Sequence, residues 1–233
     1  MPEHLPTVFV PGLNCSPRLY TAQLIELWRF GPVTVANHTR DDTMAGIARR
    51  ILAEAPARFA LVGLSMGGYI SYELMRQAPD RIAKLALLDT GSRADTPEAS
   101  EARRARMALA ESGRFGEVIE STWPSLVHPS RLNDAPLKQI HIDMCHDVGP
   151  QAYVRQQKAL MGRPNSRPTL PSIRCPTLVL VGEQDTLTPP ALSEEIAAGI
   201  PGAKLVQVPD CGHLSTIERP EAVNRALAEW MAA

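Results

Sequence analysis

The stretch Arg58-Phe59-Ala60-Leu61-Val62-Gly63-Leu64-Ser65-Met66-Gly67-Gly68 changes character twice within one short run. Phe59 through Val62 is an apolar segment of the kind buried in a parallel sheet. Beyond Gly68, the positions Tyr69, Ile70, Tyr72, Leu74 and Met75 read as a helix that Ala78-Pro79 brings to an end. Between them stands a serine with glycines on both sides. A strand, a Gly-x-Ser-x-Gly turn and a helix make a nucleophile elbow, a tight turn that exposes the serine hydroxyl. Such a turn is strained and brings neighbouring backbones together, which is why Gly63 and Gly67 are needed. Ser65 is therefore the candidate nucleophile. The plainer alternative, a serine that only caps the following helix, does not account for the flanks.

Working outward, strands and helices alternate. Thr7-Val8-Phe9-Val10 reads as a strand stopped by Pro11-Gly12, and Leu24, Leu27 and Trp28 as the apolar side of a helix. Val33 to Ala36 is the next strand. Met44, Ile47, Ala48, Ile51 and Leu52 fall at the spacing of an amphipathic helix, capped by Asp42 or Thr43. Lys84 to Leu88, Thr177 to Val181 and Lys204 to Val208 are further strands. The last helix opens at Pro220 and carries Val223, Leu227, Trp230 and Met231 on one side. This alternation predicts an α/β fold: a mostly parallel six-stranded sheet with helices on both faces. The segment 92–170 breaks the pattern. Its helical runs (97–112, 115–123, 137–146 and 151–161) predict a helical lid inserted into a core made of 1–91 and 171–233, in one domain overall.

The chain has 233 residues, enough for one domain with a substantial core, and its formal net charge is −1. That near balance gives no footing for nucleic acid or an anionic membrane surface. No stretch is long and apolar enough to span a membrane. Residues 1–6 lack the basic segment and apolar core of a signal peptide, so a cytoplasmic location is expected. Cys15, Cys145, Cys175 and Cys211 form no Cys-x-x-Cys pair and read as free thiols.

A serine hydroxyl needs a base, and the base needs an orienting group. The strand ending at Val181 runs into Gly182-Glu183-Gln184-Asp185, and the strand ending at Val208 into Pro209-Asp210-Cys211-Gly212-His213. Asp185 and His213 then share a sheet edge with Ser65, in the chain order Ser, Asp, His. Together with Pro11-Gly12-Leu13, these motifs resemble the α/β-hydrolase fold superfamily, in its single-domain esterase and enol-lactonase branch, over nearly the whole chain. The resemblance implies Ser65 as nucleophile, His213 as general base and acid, and Asp185 as the orienting carboxylate. It implies an oxyanion hole from the amide of Met66 and that of Leu13, with Asn14 as the rival donor. It implies a carboxylesterase- or lactonase-like serine hydrolase acting on a small ester or lactone, with no metal or organic cofactor. Carbon–carbon bond hydrolysis or cofactor-free lyase chemistry on the same residues is the alternative, as is a non-catalytic ligand-binding member of the fold. Two departures stand out: Pro11-Gly12 replaces the common His-Gly, and the family's edge hairpin is missing before Thr7.

Other residues have plainer expectations. Asp89 is expected to hydrogen-bond the turn Thr90-Gly91, and Asp210 to be a turn residue. His38 is expected in a polar surface loop. Arg163 and Arg167 could hold a substrate carboxylate, but a solvent-facing hinge is the simpler expectation. Glu98, Glu101, Arg103, Arg104 and Arg106 read as a solvated helix face. His141 and Cys145 stand four apart without a third ligand, which argues against a metal site. Met107, Met144, Met161, Trp123 and Tyr153 supply apolar surface to the lid.

Overall fold

A computed structural model of the chain describes residues 4–233. Six strands form one sheet: β1 (Thr7–Val10), β2 (Val33–Val35), β3 (Phe59–Leu64), β4 (Ile82–Leu88), β5 (Thr177–Gly182) and β6 (Lys204–Val208). Their order is β2-β1-β3-β4-β5-β6, and every neighbouring pair is parallel. All the expected strands are present, and among the described residues no antiparallel hairpin precedes β1. Parallel neighbours require crossovers, here carried by helices.

Side chains alternate across each strand, so the sheet makes two cores. On one face Ala60, Val62 and Leu64 of β3 pack with Leu27 of α1 (Thr21–Leu27) and Leu227 of α8 (Pro220–Ala232). On the other, Phe59 and Leu61 pack with Ile47 of α2 (Met44–Glu54), Ile70 of α3 (Met66–Gln77) and Ile196 of α7 (Pro190–Gly199). Each fully buried side chain of this size contributes about 1.5–3 kcal/mol. Thr43 caps α2 by accepting from the Gly46 amide at 3.1 Å. Trp28 departs from expectation. It is 73% exposed, because α1 ends at Leu27 and the tighter turn Trp28–Phe30 rotates it off the apolar side.

Between β4 and β5 the chain is helical: α4 (Pro97–Glu111), α5 (Phe115–Thr122) and α6 (Ala135–Met161). The last is bent at Gly149 (φ 75°, ψ 163°), just before Pro150, so the two runs expected there are two limbs of one kinked helix. Met107, Phe115, Val118 and Tyr153 form a core of their own in this segment, whereas Trp123 and Met144 join the sheet core.

The strand order places the site. The chain steps from β1 outward to β2, then returns past β1 to β3. Ligands on open α/β sheets bind beyond the carboxyl ends of the strands at such a reversal. The loops after β1 and β3 face each other there, with Val10 in register with Gly63. A Cβ on Gly67 would overlap the Val10 carbonyl, and one on Gly63 the Gly67 carbonyl. The start of α3 therefore packs directly on the end of β1, and only glycine fits. Among the described residues no helix is long and apolar enough to cross a membrane, and all four cysteines are free.

Candidate active site

Ser65 links β3 to α3 with φ 54° and ψ −111°, a left-handed conformation that is strained for any residue bearing a side chain. Neighbouring strands hold it. The Ser65 amide donates to the Leu88 carbonyl at 2.9 Å, and Thr90 Oγ1 donates to the Ser65 carbonyl at 2.8 Å. Met66 opens α3, so its amide is one of the unpaired donors of a helix start.

His213 and Asp185 are each 3% exposed. His213 Nδ1 lies 2.7 Å from Asp185 Oδ2. The other carboxylate oxygen accepts from the amides of Leu187 (2.8 Å) and Thr188 (2.9 Å), and Thr188 Oγ1 donates to Oδ2 at 2.7 Å. With the carboxylate accepting, Nδ1 carries the ring proton and Nε2 is left as a base. Burial would raise the Asp185 carboxyl, but the His213 charge and these hydrogen bonds hold it below its ordinary value. Burial would likewise lower His213, yet the Asp185 charge and hydrogen bond outweigh it and hold the imidazole above its ordinary value. The two loops are joined by Gln184, whose amide donates to the Cys211 carbonyl at 2.9 Å while its Oε1 accepts from the Cys211 amide at 3.0 Å.

Ser65, His213, Leu13, Asn14 and Met66 all line one cavity of about 410 Å³. No hydrogen bond joins Ser65 to His213 among the described residues. The first loop is held from two sides. His38 Nε2 lies 2.9 Å from the Gly12 carbonyl, and Gln156 Oε1 accepts from the Asn14 amide at 3.0 Å. The Asn14 amide is thus occupied, whereas the Leu13 and Met66 amides have no hydrogen-bond partner among the described residues.

Several expectations need correction. His38 is not a surface residue: it is 2% exposed, and burial lowers its pKa to about 4. Asp89 does not bind its own turn. It accepts from the Gly182 amide at 3.0 Å and from Ser215 Oγ, tying the end of β5 to the residue two past His213. Burial, with the Asp185 charge added, pushes its carboxyl up to about 8. Arg163 is not a solvent-facing hinge: its side chain is 9% exposed and pairs with Asp95 at 2.6 Å. Arg103 is not on a solvated face either, because it reaches Asp95 from the other side at 2.9 Å. Arg167 stays at the surface on Asn165. His141 lines the cavity, stacks on Trp123 at 5.6 Å and has Cys145 Sγ 3.8 Å from its ring nitrogens. Thr188 and Gln156 were not singled out from the sequence. Thr188 carries a signal, an Asp-x-x-Thr spacing that closes a turn on the carboxylate, and Gln156 a weaker one, a polar residue at helical spacing among Ala152, Tyr153, Ala159 and Leu160.

A profile of the alpha/beta hydrolase family matches residues 7–226, and the chain belongs to that family. It is an enzyme of the hydrolase class by that membership. A solved esterase of Thermogutta terrifontis, with malate bound, is similar at TM-score 0.89 and 32% identity, covering 98% of this chain and 89% of that one. The enol-lactonase of Burkholderia xenovorans LB400 shares the fold at TM-score 0.89 and 23% identity, over 98% of this chain and 92% of that one. A Mycobacterium tuberculosis protein named "Putative non-heme bromoperoxidase BpoC" is 34% identical over 183 residues, 76% of this chain and 69% of its own length.

Proposed function

We propose that this chain hydrolyses small carboxylic esters or lactones by an acyl-enzyme route. The observation that carries this is the buried His213–Asp185 pair, bonded at 2.7 Å, on the same cavity as a serine held at φ 54°. Ser65 Oγ attacks the carbonyl carbon as His213 Nε2 takes its proton. The developing oxyanion is held by the amides of Met66 and Leu13. As the tetrahedral intermediate collapses, His213 returns the proton to the leaving alcohol. A water deprotonated by His213 then attacks the acyl-enzyme, and release of the acid restores Ser65. Residues 92–170 act as the lid that closes the cavity and sets substrate choice. The relatives' names as an esterase and an enol-lactonase support the same bond class.

A fluorophosphonate probe is expected to label Ser65, located by mass spectrometry, with labelling absent in Ser65→Ala. Full labelling of that variant would remove Ser65 from the nucleophile's role. If the probe labels Ser65 but no p-nitrophenyl ester of any acyl length is turned over, the triad serves carbon–carbon bond cleavage instead.

The pH profile follows from His213. The imidazolium cannot accept a proton, so kcat/KM falls as pH drops through its pKa. Because the Asp185 carboxylate raises that pKa from 6.5, the acid limb is expected to have its midpoint above 6.5. A flat profile from pH 5 to 8 would count against His213 as the base.

A further inference from the structure

One wall of the cavity carries more positive charge than its own carboxylate balances. Arg103 and Arg106 from α4, Arg163 just past α6, and Asp95 before α4 all line it. Asp95 is held from both sides, by Arg103 Nε at 2.9 Å and Arg163 Nη1 at 2.6 Å, and its side chain is 3% exposed. The remaining bonds of the two arginines go to neutral acceptors: Gln157 Oε1 at 2.8 Å, the Arg93 carbonyl at 3.0 Å and the Leu160 carbonyl at 3.0 Å. Arg106, one turn along α4 from Arg103, has no ion pair or hydrogen bond among the described residues. Arg93 also lines the cavity, but Glu195 takes its charge at 2.5 Å. Two guanidinium groups thus share one carboxylate, and a third on the same cavity has none.

Buried charge is costly unless paired. If the cluster served only to fasten the lid, one arginine on Asp95 would suffice, and the second buried one would add desolvation that half a carboxylate does not offset. Its position also points inward. The Arg163 guanidinium lies 4.4 Å from the ring centroid of Tyr69, which stands one helical turn along α3 from Ser65. Stacking fixes the plane of the guanidinium and so the direction of Nη2, the one Arg163 nitrogen with no hydrogen bond among the described residues.

We infer that this wall is a carboxylate-binding subsite and that the preferred substrates are esters whose acyl part ends in a free carboxylate, such as half-esters of dicarboxylic acids. The inference rests on Ser65 being the nucleophile of an ester hydrolase, because it places the anionic end of the acyl chain relative to that residue. The negative group completes the charge balance that Asp95 alone leaves open, and a neutral chain of the same length does not.

The test compares ethyl hydrogen adipate with ethyl 6-oxoheptanoate, in which a methyl ketone replaces the carboxylate. The half-ester is expected to show kcat/KM about tenfold higher, the size of a hydrogen bond to a charged group. In Arg106→Glu, a change at an exposed position that leaves the buried pairs intact, that ratio is expected to fall below one. Calorimetry with adipate reads the subsite without turnover. Adipate is expected to bind the parent protein, more weakly at high salt, and several-fold more weakly to Arg106→Glu. Equal turnover of the two esters with no response to Arg106→Glu overturns the subsite and leaves the hydrolase reading standing. Failure of both esters and of Ser65 labelling, with adipate still bound in an Arg106-dependent way, overturns the hydrolase reading and keeps an anion site. Inorganic phosphate binding more tightly than adipate overturns the carboxylate assignment.

Discussion

Asp185→Asn is expected to lower kcat by about four orders of magnitude, with the circular dichroism spectrum unchanged. The geometry explains both halves. An amide oxygen can still accept from the Leu187 and Thr188 amides, which now bond Asp185 Oδ1 at 2.8 and 2.9 Å, so the loop keeps its shape. The group facing His213 Nδ1 then becomes an NH₂ donor. A donor there favours the tautomer with the proton on Nε2, where the ring no longer serves Ser65 as a base. The loss therefore falls on kcat, since the ester's binding surface is untouched. A second readout separates this from loose packing. Without the carboxylate, burial is opposed only by the Asp89 and Glu218 charges, so the His213 pKa moves down from its position in the parent protein. The acid limb of the residual activity should move to lower pH. A loss of less than tenfold, or a limb that stays in place, would transfer the orienting role elsewhere. Asp89 is the neighbour to test then, although its hydrogen bonds go to Gly182 and Ser215 and not to the imidazole.

How much of this could be read from the chain differs between the sheet and the helices above it. β3, β5 and β6 announce themselves by apolar runs stopped at glycine or proline, and the sheet edge they share follows from parallel alternation. That Ser65, Asp185 and His213 lie in loops at one sheet edge was legible for that reason: each sits in the loop that leaves a strand end. Gly63 and Gly67 mark a close approach that the backbone alone imposes. The helical segment gives no such handle. Arg103 and Arg104 are the same residue type, yet one turns in to Asp95 and the other pairs with Glu101 outside. Only the position of a partner eight residues away, and of Arg163 much further on, decides between them. His38 and Gln156 meet across a separation of 118 residues; Gln156 shares a helical stripe with Ala152, Tyr153, Ala159 and Leu160, but nothing local names its partner. Asp89 bridges to a residue 93 positions later. Buried polar contacts of this kind are fixed by tertiary packing, which a local pattern does not encode.

The same long-range contacts bear on the weakest part of the proposed machinery. His38→Ala is expected to lower kcat about a hundredfold, near the cost of losing one oxyanion donor, with KM changed far less. The first loop lacks the His-Gly start common in relatives, and His38, arriving from beyond β2, supplies the missing imidazole from elsewhere in the chain. In the tautomer that carries the proton on Nε2, it donates to the Gly12 carbonyl, 2.9 Å away. Gln156, reaching down from α6, accepts from the Asn14 amide at 3.0 Å. Gly12 and Asn14 are thereby pinned on either side of Leu13, and the Leu13 amide is the one left to meet a developing oxyanion. Burial keeps His38 neutral, with its pKa lowered to about 4, so the ring holds this hydrogen bond throughout the range in which His213 is active. Removing it leaves a buried carbonyl without its donor and lets the loop turn. His38→Gln, which can present an amide N–H in the same direction, should recover a large part of the loss, and Gln156→Ala should reproduce it by freeing the Asn14 amide. In each variant the pH midpoint of the acid limb should stay where the parent has it, because His213 and Asp185 are untouched. A hundredfold fall in kcat with an unmoved midpoint identifies a positioning role. A rise in KM alone, with kcat intact, would instead make His38 part of the binding wall.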